Sequence, residues 1–296
     1  MHTHRAKRLE ADLVVVGMAY FEVFVPPHVR PAPGEEIFVD GMVLALGGAL
    51  NTASVAAALG LKVTLCLPMG EGLVDQAVRL LAQRLGITLM PLPAPDNPAI
   101  SLVFSEAQDR AFVSSAALDA LCAVQHLPAS TWVHVPGLEE AARLQAPLAH
   151  ARQQGARLSV SGSWSPAQLA RLGSQQAQPW DLLVLNEKEA QACGNAQNAS
   201  TKLSKAARSV LVTRGMDGVT GTLNGTPVQL PALPVHVQDA TGAGDAFCAG
   251  LIAALVRHAP PLDAVQLGIR AAALILQQTG GVAMCTQAFA NLRPNH

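Results

Sequence analysis

One unbroken stretch limits what this chain can fold into: Asp239-Ala-Thr-Gly-Ala-Gly-Asp245 runs directly into Ala246-Phe-Cys-Ala-Gly-Leu-Ile-Ala-Ala-Leu-Val256. The second half is the longest apolar run in the chain, and as a helix it is apolar nearly all round, so it must be covered on every side. It falls well short of the roughly 18 residues a membrane span requires. The fold therefore has to be thick enough to enclose a helix. Half of the residues are apolar and 14% are charged, which supplies the core. Aromatics make up only 4%, so Ala, Leu and Val carry the packing, a composition suited to helices laid closely on a parallel sheet.

The turn ahead of that helix carries the chemistry. Gly242 and Gly244, with Ala243 between them, open backbone conformations that let successive N–H groups converge on one point. That point is a helix N-terminus, where unbonded N–H groups and the dipole favour an anion. Asp245 stands beside it. Donors for a transferred group together with a carboxylate base are what phosphoryl transfer onto a hydroxyl needs. A plain glycine turn with Asp245 capping a core helix is the simpler alternative. The Asp at each end and the buried helix behind favour the functional reading.

Strand and helix signals alternate along most of the chain. Strands are expected at Leu13–Val16, Lys62–Leu67, Trp132–Val135, Arg157–Val160, Leu182–Leu185 and Val210–Thr213. Helices are expected at Leu50–Leu59 (opened by Gly47-Gly48), Gln76–Leu85, Glu139–Gln154, Glu187–Cys193 and Thr201–Ala207. Such alternation implies a parallel sheet covered on both faces. Two segments interrupt it. Glu22–Leu46, punctuated by Pro26, Pro27, Pro31, Pro33 and Gly34, holds short β-like pieces such as Ile37–Val43. Ala99–Phe104 and Ala111–Ser114 flank the polar turn Glu106–Arg110 as a hairpin. Both are expected in a small sheet beside the main one.

Several functions are disfavoured. The net charge of -1 offers no basic stripe for a nucleic acid. The five cysteines (Cys66, Cys122, Cys193, Cys248, Cys285) form no CxxC pair and read as reduced core thiols. Met1–Glu10 is polar and lacks a signal core, so a soluble cytoplasmic protein is expected. There is no GxxxxGK[ST], no GxGxxG after the first strand and no HExxH. The nine histidines are scattered and read as structural or exposed.

Taken in order, these motifs resemble the PfkB family of carbohydrate kinases, which has the ribokinase-like fold. Gly47-Gly48-Ala-Leu-Asn51 resembles the family's first signature, whose glycines and Asn line the substrate site; Asn51 offers both a donor and an acceptor. Asn186-Glu187-Lys188-Glu189 resembles the Asn-x-x-Glu motif, whose ends, Asn186 and Glu189, organise Mg²⁺ and phosphates largely through water. Thr213-Arg214-Gly215-Met-Asp-Gly218 resembles the nucleotide-phosphate turn, and Asp239 and Thr241 belong to the second signature. Three positions depart from the pattern. Glu22 stands where members carry an Asp that grips substrate hydroxyls. Ala240 replaces a Thr, and Ser161-Gly-Ser163 replaces an Asp-Pro-Asn-like segment.

The resemblance implies one α/β/α sandwich over residues 1–296, with a mostly parallel sheet and a β-sheet lid built from segments near 20–46 and 99–115. It implies ATP and Mg²⁺ as cofactors and leaves a monovalent cation open. The acceptor is expected to be a sugar, with a nucleoside as the second choice, placed between Asp245 and the γ-phosphate. A homodimer paired through the lid is expected, with neither nucleic acid nor membrane as partner. A non-catalytic sugar- or nucleotide-binding regulator on the same fold is the different-class alternative, disfavoured because pure binding needs no base.

Overall fold

The computed structural model describes residues 9–26, 31–94, 98–105, 110–172, 180–194 and 203–293. The chain runs through β1 (Ala11–Val16), β2 (Ala19–Val25), β3 (Val43–Gly48), α1 (Ala49–Ala58), β4 (Val63–Met69), α2 (Leu73–Leu85) and β5 (Thr88–Pro93). Next come β6 (Ile100–Ser105), β7 (Arg110–Ser115), β8 (Ser130–Val135), α3 (Leu138–Arg143), α4 (Gln145–Gln153), β9 (Arg157–Ser161) and α5 (Pro166–Leu172). It continues with β10 (Leu182–Asn186), α6 (Glu187–Ala192), β11 (Val210–Thr213), β12 (Val219–Leu223) and β13 (Thr226–Leu230). The last elements are α7 (Ala243–Val256), α8 (Pro261–Ile275) and α9 (Thr286–Ala290).

Nine strands form one sheet in the order β13-β12-β11-β10-β9-β8-β1-β4-β5. It is parallel from β5 to β11 and closes with the antiparallel pair β12 and β13. Its centre is buried on both faces, which is why β1 reads as an unbroken Leu-Val-Val-Val run. Leu13 and Val15 face α1, α7 and α8, while Val14 and Val16 face the layer holding α3, α4 and α5. The result is the three-layer α/β/α sandwich expected from the alternation. The apolar helix is α7, with ten of its residues buried. Gly250 and Gly268 let α7 and α8 come into backbone contact: a Cβ on Gly268 would lie 2.8 Å from the Phe247 carbonyl oxygen.

The second sheet has the order β3-β2-β6-β7. It contains the expected hairpin of β6 and β7, whose connecting residues 106–109 lie outside the described ones. In one cross-strand row, Ala45, Glu22, Ser101 and Ser114 sit side by side; in the next, Leu44, Val23, Leu102 and Val113 do. Because side chains alternate along a strand, the two rows face opposite ways.

Some expected elements fall elsewhere. The strand expected at Ile37–Val43 is irregular up to residue 42, and β3 begins only at Val43. Pairing of Ala19 with Gly48 and Phe24 with Val43 fixes that register, so Gly47 and Gly48 end β3 and, as expected, lead straight into the helix, with Gly48 as the N-cap of α1. The helix expected over Glu139–Gln154 is divided at Leu144, because Pro147 has no N–H to give to the Arg143 carbonyl. Of the helix expected at Thr201–Ala207, residues 203–207 form turns and a bridge to Trp180, while 201 and 202 lie outside the described residues. β5, β12, β13, α5, α8 and α9 are additional elements. All five cysteines are free, but only Cys66 and Cys248 are buried, and Cys122 and Cys285 are exposed. Among the described residues, no helix is long and apolar enough to cross a membrane.

Candidate active site

The site residues gather at the carboxyl ends of the parallel strands, where α/β proteins bind ligands. Asp245 is the third residue of α7, in the turn whose first N–H groups have no carbonyl one turn back. Gly242 precedes the helix with φ of 74°, a left-handed conformation, and a Cβ there would stand 2.3 Å from the Gly281 Cα. Glycine is required at 242 on both counts. At Gly244 the backbone is helical and, its own stretch of helix aside, no atom of the described residues lies within 4 Å of where a Cβ would stand. The two glycines thus differ: Gly242 shapes the turn, and Gly244 leaves the helix start open to a ligand.

Asn51 reaches Asp245 from α1, donating from Nδ2 to Oδ2 at 2.9 Å. Its own Oδ1 is buried and accepts no hydrogen bond. Burial pushes the Asp245 carboxyl up to about 6, opposed by the Asn51 bond and assisted by the negative charges of Glu140 and Glu189. Asp239 braces the turn: its Oδ1 accepts from the Thr241 N–H and hydroxyl at 2.9 and 2.8 Å, and its Oδ2 from the Gly280 N–H at 2.8 Å. The expected cofactor residues Asp239 and Thr241 are therefore bonded to each other and hold the glycine turn against the 280–281 loop.

Glu22 is buried on β2, in the row with Ser101, and its carboxylate lies over Gly47; a Cβ on Gly47 would stand 2.2 Å from Glu22 Oε1. Gly48, with φ of 69°, lies against the Met18 carbonyl oxygen, 2.4 Å from where a Cβ would stand, and the Tyr20 ring at 2.7 Å. The glycine pair thus makes room for two side chains of its neighbouring strand.

On the other side, Asn186 caps α6. Its Oδ1 accepts from the Glu189 N–H at 2.9 Å, and Glu189 Oε2 accepts from the Asn186 N–H at 2.8 Å. Glu189 Oε1 accepts from the Trp164 N–H at 3.0 Å, so both oxygens of this buried carboxylate are bonded to backbone. Thr213 is the register partner of Asn186 on β11. Gly215 (φ 55°) and Gly218 (φ 84°) bound the short turn after it, and a Cβ on Gly218 would lie 2.0 Å from the Leu230 carbonyl oxygen.

Three features escaped the sequence reading. Gly280-Gly281 closes over Asn51 and the α7 turn. Tyr20, whose phenol is raised by burial and then by the charges of Glu140 and Glu22, and the buried Glu140 are the other two. An acid one turn after a strand end was a weak signal for Glu140, and the Gly-Gly pair a better one for the loop.

These elements define a class: a doubly wound α/β protein with a carboxylate at a glycine-built helix start. The model of the family described as "pfkB family carbohydrate kinase" matches residues 11–288, and the chain belongs to that family. It is 26% identical over 292 residues to "Uncharacterized sugar kinase YegV" of Escherichia coli K12, covering 91% of this chain and 90% of the relative. Two curated matches at 46% identity are shorter: the chain spans 14% of a Caulobacter bifunctional protein HldE and 24% of a Klebsiella pneumoniae fructokinase. Among solved structures, a probable sugar kinase from Rhizobium etli superposes with a TM-score of 0.79 at 18% identity, covering 96% of this chain and 98% of the other. An Arabidopsis thaliana ribokinase complexed with ribose and ATP superposes with a TM-score of 0.69 at 19% identity, covering 95% and 98%. At such identities the likeness speaks to the ribokinase-like fold.

Proposed function

We propose that this chain transfers the γ-phosphate of ATP to a hydroxyl of a small sugar-like acceptor, with Asp245 as the general base. One observation carries the reading: a carboxyl lifted to about 6 stands at the open start of α7, so at neutral pH it is ionised and poised to take a hydroxyl proton. Gly242, Ala243 and Gly244 direct the α7 backbone toward the transferred group. Glu22, Gly47, Gly48 and Asn51 face the acceptor; Thr213, Gly215 and Gly218 border the nucleotide.

Nothing at Gly244 obstructs a phosphate, so the chain fits ATP. Among the described residues, no group of three His, Cys, Asp or Glu could hold a metal. Mg²⁺ keeps most of its waters, so one or two acids such as Glu189, with Asn186, are a sufficient donor set. When bound, ATP and Mg²⁺ supply the phosphoryl group and neutralise its charge. Asp239 and the 280 loop are the place where a monovalent cation would brace the turn. The protein acts as one unit with the four-stranded sheet as lid, in the cytoplasm, and as a dimer that covers the apolar row of Leu44, Val23, Leu102 and Val113.

Turnover of ATP against a panel of sugars and nucleosides tests this. Phosphorylation of at least one acceptor, dependent on Asp245, is the expected result. Ligand binding without any turnover would instead leave the regulator reading.

A further inference from the structure

We propose that the chain carries a second ligand site, at the end of the large sheet opposite Asp245, for a small carboxylate with a short hydrocarbon tail. A cavity of about 120 Å³ lies there, with Trp132, Arg157, Asp181, Arg208 and Ser209 in its wall. Arg157 opens β9, Leu182 opens β10, Ser209 immediately precedes β11, and Leu223 closes the antiparallel β12. The cavity therefore sits at the amino ends of the parallel strands, whereas the candidate active site lies at their carboxyl ends. Asp245 and Leu255, which also lines the cavity, stand towards opposite ends of α7, roughly 15 Å apart along its axis. The inference does not depend on the kinase reading.

The cavity has an apolar floor and a charged rim. Trp132, Leu182, Leu223 and Leu255 are buried members of one core cluster and form the floor. On the rim, Asp181 is already matched. Its Oδ1 accepts from Arg208 at 3.2 Å; its Oδ2 accepts from the Leu158 N–H at 2.9 Å and lies 3.4 Å from the Arg152 guanidinium. Arg157 is left over. It is the register partner of Trp132, and its guanidinium stands 5.6 Å from the Trp132 ring centroid. Among the described residues its side chain has no hydrogen bond or ion pair. Ser209 is buried, and its Oγ accepts from the Asn224 N–H at 3.0 Å, which leaves its own O–H to donate.

A guanidinium without a partner and a hydroxyl donor match an oxyanion, and the planar fork of Arg fits a carboxylate in particular. The apolar floor favours a hydrocarbon body, which inorganic phosphate lacks. Volume sets the length. A cavity of about 150 Å³ holds benzene, so this one admits about six heavy atoms, the size of butyrate.

The experiment follows the Trp132 indole N–H signal by NMR in the full, isotope-labelled chain, assigned with Trp132→Phe. The chain is titrated at constant ionic strength with acetate, butyrate and octanoate, and with inorganic phosphate, butanol and butylamine as controls. Butyrate should shift the signal saturably and bind more tightly than acetate and all three controls. Octanoate, too long for the cavity, should bind no more tightly than butyrate. Arg157→Gln should weaken butyrate roughly 10-fold, as expected for loss of a bond to a charged group. Its melting temperature should stay unchanged, because Arg157 is exposed; Arg157→Lys, which keeps the charge, should recover part of the affinity. Asp245→Asn should leave the titration as it is, which separates this site from the candidate active site. The proposal is overturned if butyrate gives no saturable shift, or if phosphate or butanol binds as tightly. It is equally overturned by an affinity that keeps rising through octanoate, by an unchanged butyrate affinity in Arg157→Gln, or by its loss in Asp245→Asn.

Discussion

Two ionisable side chains, the half-buried Asp245 and the buried His134, bear opposite relations to the fold. Asp245 is lifted from 3.8 to about 6, so its native form holds its proton more tightly than its unfolded form. Its favourable contribution is complete below about pH 4 and is lost as pH rises through about 6. Asp245→Asn should therefore lower turnover by about 10²–10⁴-fold, as loss of a general base does, yet melt higher at pH 7.5. The gain should be about 1–3 kcal/mol and should vanish below about pH 4. An unchanged rate would remove Asp245 as the base; wild-type kcat/KM should fall below about pH 6. His134 behaves in the reverse sense. Buried in β8 with Nδ1 2.9 Å from the Ser159 hydroxyl, it is pushed down to about 3. Stability from its neutral form is full above pH 6.5 and lost as pH falls from there towards 3, at about 1.4 kcal/mol per pH unit. Urea titrations of His134→Gln should show a flatter pH dependence between 7 and 5 than wild type.

At the level of elements, the start of α7 separates two glycine requirements. Gly242→Ala places a Cβ 2.3 Å from Gly281 on a left-handed backbone, so it should lose several kcal/mol of stability and activity together. Gly244→Ala meets no protein atom and should keep the wild-type melting temperature within about 1 °C while weakening ATP, because the methyl group would crowd the phosphate. A parallel loss of stability at both positions would contradict this division. The first half of the element also depends on Gly268, which packs against Phe247. Gly268→Val would drive α7 and α8 apart at Phe247, with an expected loss of about 3 kcal/mol or more in denaturant midpoints. Asp245 is carried by the same helix, so kcat should fall with it.

At the level of the molecule, the four-stranded sheet is unusual in turning a polar row inward and an apolar row outward. Leu44 and Val113 are 59% and 62% exposed on a contiguous row, a surface suited to a second copy of the same sheet. Sedimentation of wild type should give a dimer, and Leu44→Glu or Val113→Glu a monomer with an altered apparent acceptor affinity. A monomeric wild type would remove the dimer from the reading.

The parallel sheet was legible in residue order alone, because strands buried on both faces read as runs such as Leu13–Val16, and α7 because an all-apolar helix has nowhere to go but the interior. The turn before it was legible because few residues other than glycine can adopt its backbone. Partners distant in sequence were not. Asn51 and Asp245 are 194 residues apart, and no periodicity tells that α1 lies against α7. The start of β3 was decided by its pairing with β2, which overrode the local β character of Ile37–Val43. Glu140 is an ordinary helix acid by sequence, yet it is buried, with its carboxylate folded back over Gly137, the N-cap of its own helix. Local chemistry specified the motifs and the layers. Tertiary packing decided which carboxylates lie in low dielectric, and hence which of them can act as a base.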